Sequence, residues 1–122
     1  MSKNVHHHIT YIEFVATDIE QAKQFYSNAF GWKFQDWGPE YASFSGAGVE
    51  GGFCKGEAQV APENSAPLIV IYSKDLKASE DAVLAAGGDI VMPDFEFPSG
   101  RRFHFYDGVG NVLAVWSEVG ES

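Results

Sequence analysis

The sequence predicts an α+β domain made of two copies of one β-α-β-β-β module. In two places an apolar run typical of a strand ends at an aspartate, and a run with helical periodicity and then a glycine follow. The two aspartates, Asp18 and Asp75, lie 57 positions apart, and so do the two glycines, Gly31 and Gly88. Such a repeated spacing indicates an internal duplication.

The length of the chain, 122 residues, suits a single domain with one hydrophobic core. A stretch that contains Pro62, Asn64 and Ser65 has the composition of a linker between the two copies. We therefore assign residues 1–122 to one domain, with the first module at about 9–55, the linker at 56–66 and the second module at about 67–118.

The helix of the first module is predicted from its capping signals and its apolar stripe. Thr17 and Glu20 have the spacing of a capping box, and Gly31 suits the left-handed residue that ends a helix. Apolar residues recur at helical spacing between these two signals. They are Ile19, Ala22, Phe25, Tyr26, Ala29 and Phe30.

The second helix is predicted to begin at a cap formed by Asp75 and to end at Gly87 and Gly88. Its apolar stripe consists of Leu76, Ala82, Val83 and Ala86. After each helix come short runs rich in aromatic and β-branched residues, which predict strands. These runs cover residues 32–36, 41–45 and 49–55 in the first module, and 89–92, 102–107 and 111–117 in the second.

The charge balance excludes some classes of partner. Seventeen acidic residues against eight basic ones give a net charge of −9, which opposes binding to nucleic acid or to an anionic membrane surface. Cys54 is the only cysteine, so no internal disulfide and no cysteine metal cluster is expected. With no apolar run long enough for a membrane span and no apolar leader, we expect a cytoplasmic protein.

Several motifs resemble those of the vicinal oxygen chelate superfamily, which includes glyoxalases, bleomycin resistance proteins and extradiol dioxygenases. Thr17-Asp18 followed by Phe25-Tyr26 and Phe30-Gly31-Trp32 is similar to the first-helix signature of that superfamily, and Gly51-Gly52-Phe53 is similar to its glycine-rich fourth strand. The turn 105–111 resembles its Asp-Pro-x-Gly-Asn turn, with Gly108 in place of proline. The resemblance implies a curved mixed sheet around a cleft, and a homodimer.

The resemblance also implies where a divalent metal would be held. In metal-using relatives the ligands stand seven residues before each helix-capping aspartate and seven residues after the aspartate of the last turn. In this chain those positions are Tyr11, Leu68 and Ala114, and the first-module equivalent of the last one is near Gly51. Because these residues offer no suitable donor, we expect no metal site of the family type and no cofactor. His6, His7 and His8 are contiguous, so their side chains splay apart instead of converging.

The same resemblance implies which side chains line the cleft. In relatives, substrate-contacting residues of the seventh strand stand three and five positions before the turn aspartate, which here are His104 and Arg102. Alternation along the other strands completes an aromatic and partly polar set, in which Arg102 is suited to a carboxylate. The expected ligand-binding residues are Tyr11, Glu13, Tyr72, Arg102, His104 and Trp116. Glu13 is open to three interpretations: a buried ion pair with Arg102 or His104, a ligand-binding or acid/base group, or an exposed carboxylate on a misassigned face.

Three functions remain open on the sequence. The first is a metal-free homodimer that binds a hydrophobic or aromatic small molecule without turnover. The second is an enzyme, either a metal-dependent lyase, isomerase or dioxygenase of the glyoxalase type with unconventional ligands, or a metal-free catalyst. In the metal-free case Glu13 would orient His104 as the general base. The third is an interaction or regulatory subunit.

Overall fold

The computed structural model describes residues 5–57 and 68–120, and it contains the predicted β-α-β-β-β order twice. Residues 58–66 of the expected linker lie outside the described residues. The first module consists of β1 (Tyr11–Ala16), α1 (Ile19–Phe30), β2 (Lys33–Asp36), β3 (Tyr41–Ser45) and β4 (Glu50–Lys55). The second consists of β5 (Val70–Tyr72), α2 (Leu76–Ala85), β6 (Asp89–Phe97), β7 (Gly100–Tyr106) and β8 (Val112–Glu118).

Each module forms its own four-stranded mixed sheet. The strand order is β1-β4-β3-β2 in the first sheet and β5-β8-β7-β6 in the second, so the α+β prediction is confirmed. In both sheets the first and last strands of the module pair in parallel, and the other pairs are antiparallel. β1 and β5 are therefore edge strands of their sheets.

The predicted start of α1 was one residue early. The cap is Asp18, whose extended backbone lets its carboxylate accept a hydrogen bond from the Gln21 amide at 3.0 Å, so the capping box of Thr17 and Glu20 is wrong. The Thr17 amide instead donates to the Val109 carbonyl at 2.9 Å. Aspartate is among the best caps, and here it outcompetes the neighbouring threonine.

The other helix signals are confirmed. Asp75 caps α2 by accepting from the Ala78 amide at 3.1 Å. Gly31 ends α1 in the left-handed conformation, with φ 76°, where a residue with a side chain would be strained.

Both sheets share one hydrophobic core, and α1 lies between them. On one side of the helix, Tyr26 stacks near Phe53 of β4, with ring centroids 5.1 Å apart. Phe25 and Phe30 of the same helix each lie 5.7 Å from the ring of Phe105 on β7. Helix α2 packs on the second sheet and against α1, so both sheets turn their apolar faces toward this pair of helices and their other faces away from the core.

A buried aspartate ties the two modules together. Asp107, which is 1% exposed, accepts a hydrogen bond from the Tyr26 hydroxyl at 2.8 Å and from the amides of Val109 and Asn111 at 2.8 and 3.0 Å. The Asn111 side chain donates to the Val15 carbonyl at 2.9 Å. The predicted turn before the last strand is thus confirmed, and it also fixes the second module against the first.

One strand is much longer than predicted. β6 was expected at 89–92, but it continues to Phe97, past Pro93, which lacks an amide for a sheet ladder. β6 lies at the sheet edge and shifts register on either side of Met92, which accommodates the proline. The extension places Phe95 and Phe97 beside β7. Within the described residues, neither helix has the length and apolar character needed to cross a bilayer.

Candidate ligand-binding site

Alternation along the strands separates core residues from residues on the open face of each sheet. In β1, Phe14 packs against the core while Tyr11 and Glu13 are exposed. In β7, Phe103 and Phe105 are fully buried in the core. The intervening Arg102 and His104 therefore lie on the open face, as expected.

The open face of the first sheet carries a small hydrogen-bonded group, which we call the first-module face: Tyr11, Glu13, Tyr41 and Gly52. The hydroxyls of Tyr11 and Tyr41 are hydrogen-bonded to each other. The Tyr41 hydroxyl also donates to Glu13 Oε1 at 3.1 Å. Desolvation, followed by the hydrogen bonds to Tyr11 and Glu13, raises the pKa of Tyr41 well above its ordinary value, so this phenol stays protonated.

Gly52 makes room for the two tyrosines. A Cβ at this position would collide with the Tyr41 hydroxyl, and it would lie 2.6 Å from Tyr41 Cζ and 2.8 Å from the Tyr11 hydroxyl. Gly52 stands opposite Glu13 in the parallel ladder of β1 and β4. Any side chain at position 52 would therefore displace the tyrosine pair.

The open face of the second sheet is aromatic and holds two basic side chains. We call it the second-module face: Tyr72, Phe95, Phe97, Arg102, His104 and Trp116. Arg102 pairs in register with Phe95 of β6 and with Trp116 of β8. Its guanidinium carbon lies 5.3 Å from the ring centroids of both Phe95 and Phe97, which is a cation–π arrangement on two rings.

Trp116 and its neighbours form the apolar part of this face. The ring of Trp116 lies 5.5 Å from Tyr72 in an edge-to-face arrangement and 6.4 Å from Phe97. Tyr72 is 48% exposed, so an aromatic surface remains open to solvent beside the guanidinium. Apolar walls with a few polar groups are typical of small-molecule sites.

His104 lies two residues from Arg102 on the same face, 5.9 Å from the Phe95 ring. Burial, and then the nearby positive charge of Arg102, lowers the pKa of His104, so the imidazole is neutral at pH 7. Its Nε2 atom and the Nε atom of Arg102 are buried and have no hydrogen-bond partner among the described residues. Such atoms call for an explanation, because buried polar groups are normally paired.

Arg101 does not join this face. Its Nε donates to the Asp94 carboxylate at 2.8 Å, so its charge is already paired at the surface.

The structure divides the six expected ligand-binding residues between two sheets. Tyr11 and Glu13 lie on the first-module face, and the other four lie on the second-module face, with α1 packed between the sheets. One chain therefore does not enclose all six in a single pocket. Glu13 is exposed within one chain and bonds to Tyr41 instead of pairing with Arg102 or His104.

Three side chains of these faces were not predicted. Tyr41 has no motif that reveals it, and its role depends on its reach over Gly52. Phe95 and Phe97 lie beyond residue 92, where the strand was predicted to end. Their spacing of two, which is the strand period, was the only available signal.

The positions that hold the metal in relatives do not fit a cation here. Tyr11 is engaged with Tyr41, Ala114 has no donor on its side chain, and Leu68, which precedes β5, has none either. The first-module equivalent of Ala114 is Gly52, not Gly51: a Cβ on Gly51 would point at the core, 2.5 Å from Phe44 Cζ. Within residues 5–57 and 68–120, no three His, Cys, Asp or Glu side chains are grouped to hold a metal.

Comparison with known proteins finds similarity to bleomycin resistance proteins and to glyoxylase-like proteins. A family model described as Bleomycin resistance protein-like N-terminal matches residues 8–47. A glyoxylase-like domain-containing protein of Didymella fabae is 31% identical over 135 residues, and the alignment covers 96% of this chain and 98% of that protein.

Solved structures share the fold at lower identity. A glyoxalase-related enzyme from Fulvimarina pelagi superposes with a TM-score of 0.76 at 17% identity, covering 92% of this chain and 88% of that one. A mutant of the fosfomycin resistance protein from Listeria monocytogenes, in complex with Mn(II) and a dihydroxypropylphosphonic acid, gives a TM-score of 0.75 at 19% identity, covering 92% and 90%. At such identities these likenesses concern the fold alone.

Proposed function

Because the chain belongs to the glyoxalase-like proteins of the vicinal oxygen chelate superfamily, we propose that it binds a hydrophobic or aromatic small molecule without a metal. The observation that carries this proposal is the contrast between the two parts of the family site. The metal positions hold Tyr11, Leu68 and Ala114, whereas the surface that would meet a ligand keeps a dense aromatic lining.

The metal-free part of the proposal rests on chemistry as well as on residue types. The pKa of Tyr41 is raised, so the hydroxyl beside the first ligand position is a neutral phenol. Neutral phenols are poor ligands for divalent cations, which take carboxylates, imidazoles or thiolates in proteins. The hydrogen bonds that join Tyr41 to Tyr11 and Glu13 occupy the same groups that a cation would need.

We further propose that the complete cleft forms in a homodimer. The two open faces lie on different sheets with the helices between them, so within residues 5–57 and 68–120 no second face lies opposite the first-module face. β1 and β5 are also edge strands of the described sheets, and proteins commonly cover such strands by association. An apolar groove of about 670 Å³ beside these strands, lined by Ile12, Phe14 and Ile71 among others, adds surface suited to a second copy.

In such a dimer the first-module face of one copy would meet the second-module face of the other. Glu13 stays hydrogen-bonded to Tyr41 of its own chain, so Arg102 and His104 of the other copy are left to meet the ligand.

Binding of aromatic compounds tests the proposal directly. Titration calorimetry with a panel of aromatic ligands should find binding without turnover, and Trp116→Ala and Tyr11→Ala should each weaken the affinity by about ten-fold or more, as expected for aromatic residues central to a site. Leu84→Ala is the matched control, because Leu84 is 50% exposed on α2, outside both faces. If both aromatic variants bind every ligand as tightly as the control, the assignment of the site is wrong.

Catalysis without a metal is a second candidate, favoured by the hydrogen-bonded group around Glu13. In that case the same ligands would be turned over, and Glu13→Gln would abolish turnover while leaving binding in place.

A further inference from the structure

Two buried nitrogen atoms on the second-module face have no hydrogen-bond partner among the described residues: Arg102 Nε and His104 Nε2. They lie two residues apart on β7 and on the same side of the sheet. Leaving a buried donor unpaired costs about 1–3 kcal/mol, and more when the group is charged. Arg102 Nε is a donor, so its lack of a partner points to an acceptor that the described residues do not provide, and the neighbouring His104 Nε2 is unpaired in the same way.

The guanidinium of Arg102 is held in place without being neutralised. Phe95 and Phe97 contact it at 5.3 Å from each ring centroid, which fixes its orientation and attracts the positive charge. No carboxylate of the described residues forms an ion pair with Arg102. A guanidinium restrained in this way presents planar donors that match a carboxylate in two parallel hydrogen bonds.

The adjacent arginine shows the usual alternative. Arg101 is next in sequence, faces the other side of the strand, and is paired with Asp94 at 2.8 Å. In a chain with a net charge of −9, acidic partners are plentiful. Arg102 nevertheless stands among aromatic rings, so its environment differs from that of an ordinary surface arginine.

Trp116 and Tyr72 form the aromatic surface next to Arg102. Their rings contact each other at 5.5 Å, and Trp116 is the register partner of Arg102 on β8. A ligand that placed an acidic group on Arg102 would therefore lie with its remaining atoms along these rings. Flat aromatic groups fit such a surface best.

We propose that the second-module face selects an aromatic or otherwise flat apolar acid, whose carboxylate or similar anionic group is bound by Arg102 with His104 as a second contact. This inference rests on the proposed function, since it names the class of ligand for the same site. The acidic group is bound by the Arg102 guanidinium with His104 beside it, and the apolar part covers Trp116 and Tyr72.

A pair of probes of equal shape tests the inference on the unaltered protein. Naphthoate and naphthamide differ in charge but hardly in size, and titration calorimetry gives the affinity of each. We expect naphthoate to bind about ten-fold or more tightly than naphthamide, because a charge-assisted bond to arginine is roughly twice as strong as a neutral one. Arg102→Gln should remove this preference, whereas the matched control Arg101→Gln should retain it.

The preference is measured first on the unaltered chain, so the result stands even if Arg102→Gln does not fold. Equal affinity of the two probes, with binding lost in Trp116→Ala, would overturn the acidic-group inference and leave the proposed function in place. Failure of both probes to bind would overturn the proposed function and this inference together. A preference that persists in Arg102→Gln but disappears in Arg101→Gln would show that Arg101 binds the anion, and it would also overturn the inference.

Discussion

The two open faces belong to the two copies of one module, yet they differ in whether their polar groups have hydrogen-bond partners. On the first-module face Tyr11, Tyr41 and Glu13 bond to one another, and Gly52 provides the space for them. On the second-module face Arg102 and His104 keep buried nitrogens without partners among the described residues. The polar groups of the first face therefore satisfy one another, and the second face leaves two nitrogens beside the place where we propose that an acid binds.

The two faces also differ in what lies above equivalent positions of their last strands. A ladder position on the last strand holds glycine in one module and alanine in the other, at Gly52 and Ala114. Neither residue has a donor on its side chain. Tyrosine hydroxyls occupy the space above Gly52 in the first module, whereas the second-module face holds the Arg102 guanidinium on aromatic rings.

The largest expected loss of stability comes from removing the Asp107 carboxylate, which holds the two modules together. Asp107→Ala removes the acceptor of the Tyr26 hydroxyl and of two backbone amides in a buried position. We expect the free energy of unfolding, measured in urea, to fall by about 3–5 kcal/mol, because several donors are left buried and unpaired.

Asp75→Ala is the control for this variant. It removes a carboxylate that also accepts a backbone hydrogen bond, as the cap of α2, but at an exposed position. Its cost should be about 1 kcal/mol. Equal losses in the two variants would show that Asp107 is only another cap.

The next effect tests the tight packing of the first-module face. Gly52→Ala places a Cβ against Tyr41 and Tyr11, and we expect it to lower the free energy of unfolding by about 1–3 kcal/mol, as overpacking usually does. In a Tyr41→Ala background the same change should cost clearly less, which a double-mutant cycle measures. An unchanged cost in that background would mean that Tyr41 does not occupy the space above Gly52.

A smaller effect is expected from the hydroxyl of Tyr41 alone. Tyr41→Phe keeps the ring but removes the hydrogen bonds to Tyr11 and Glu13. Because these groups are partly open to solvent, stability should fall by only about 0.5–1.5 kcal/mol. A loss of stability well above this range would contradict the partly exposed position of this group.

The smallest effect is the pH dependence contributed by His104. Its pKa is lowered in the folded chain by burial and then by Arg102, while an unfolded histidine titrates near 6.5. Below about pH 6.5 the unfolded state therefore binds a proton that the folded state does not, so stability falls as the pH falls through this range. In His104→Gln, urea unfolding should show a shallower fall between about pH 7.5 and 5.5. Identical slopes in the two proteins would contradict the buried position of His104.

The fold was predictable because its signals are local and repeated. The spacing of Asp18 to Asp75 revealed the duplication, and the glycines after the helices marked where each one ends. The cap of α1 was misplaced by one residue because Thr17 and Asp18 are both good caps, and only the bond from Gln21 decides between them.

The site was predictable only in part, because its assembly depends on contacts distant in sequence. The resemblance placed Arg102 and His104 on the open side of β7, but it could not show that the helices separate them from Glu13. Phe95 and Phe97 were missed because the strand was predicted to end at residue 92, whereas this edge strand continues past Pro93 through a shift of register.

Metal content is the measurement that tests the central claim most directly. The protein should be prepared without an added histidine tag and truncated to begin at Ile9, so that the exposed His6, His7 and His8 cannot contribute. Elemental mass spectrometry should then find manganese, iron, nickel and zinc all far below one atom per chain, with aromatic ligands still bound in the presence of a chelator. One atom of any of these metals per chain, retained after the truncation and required for binding, would contradict the proposed metal-free site.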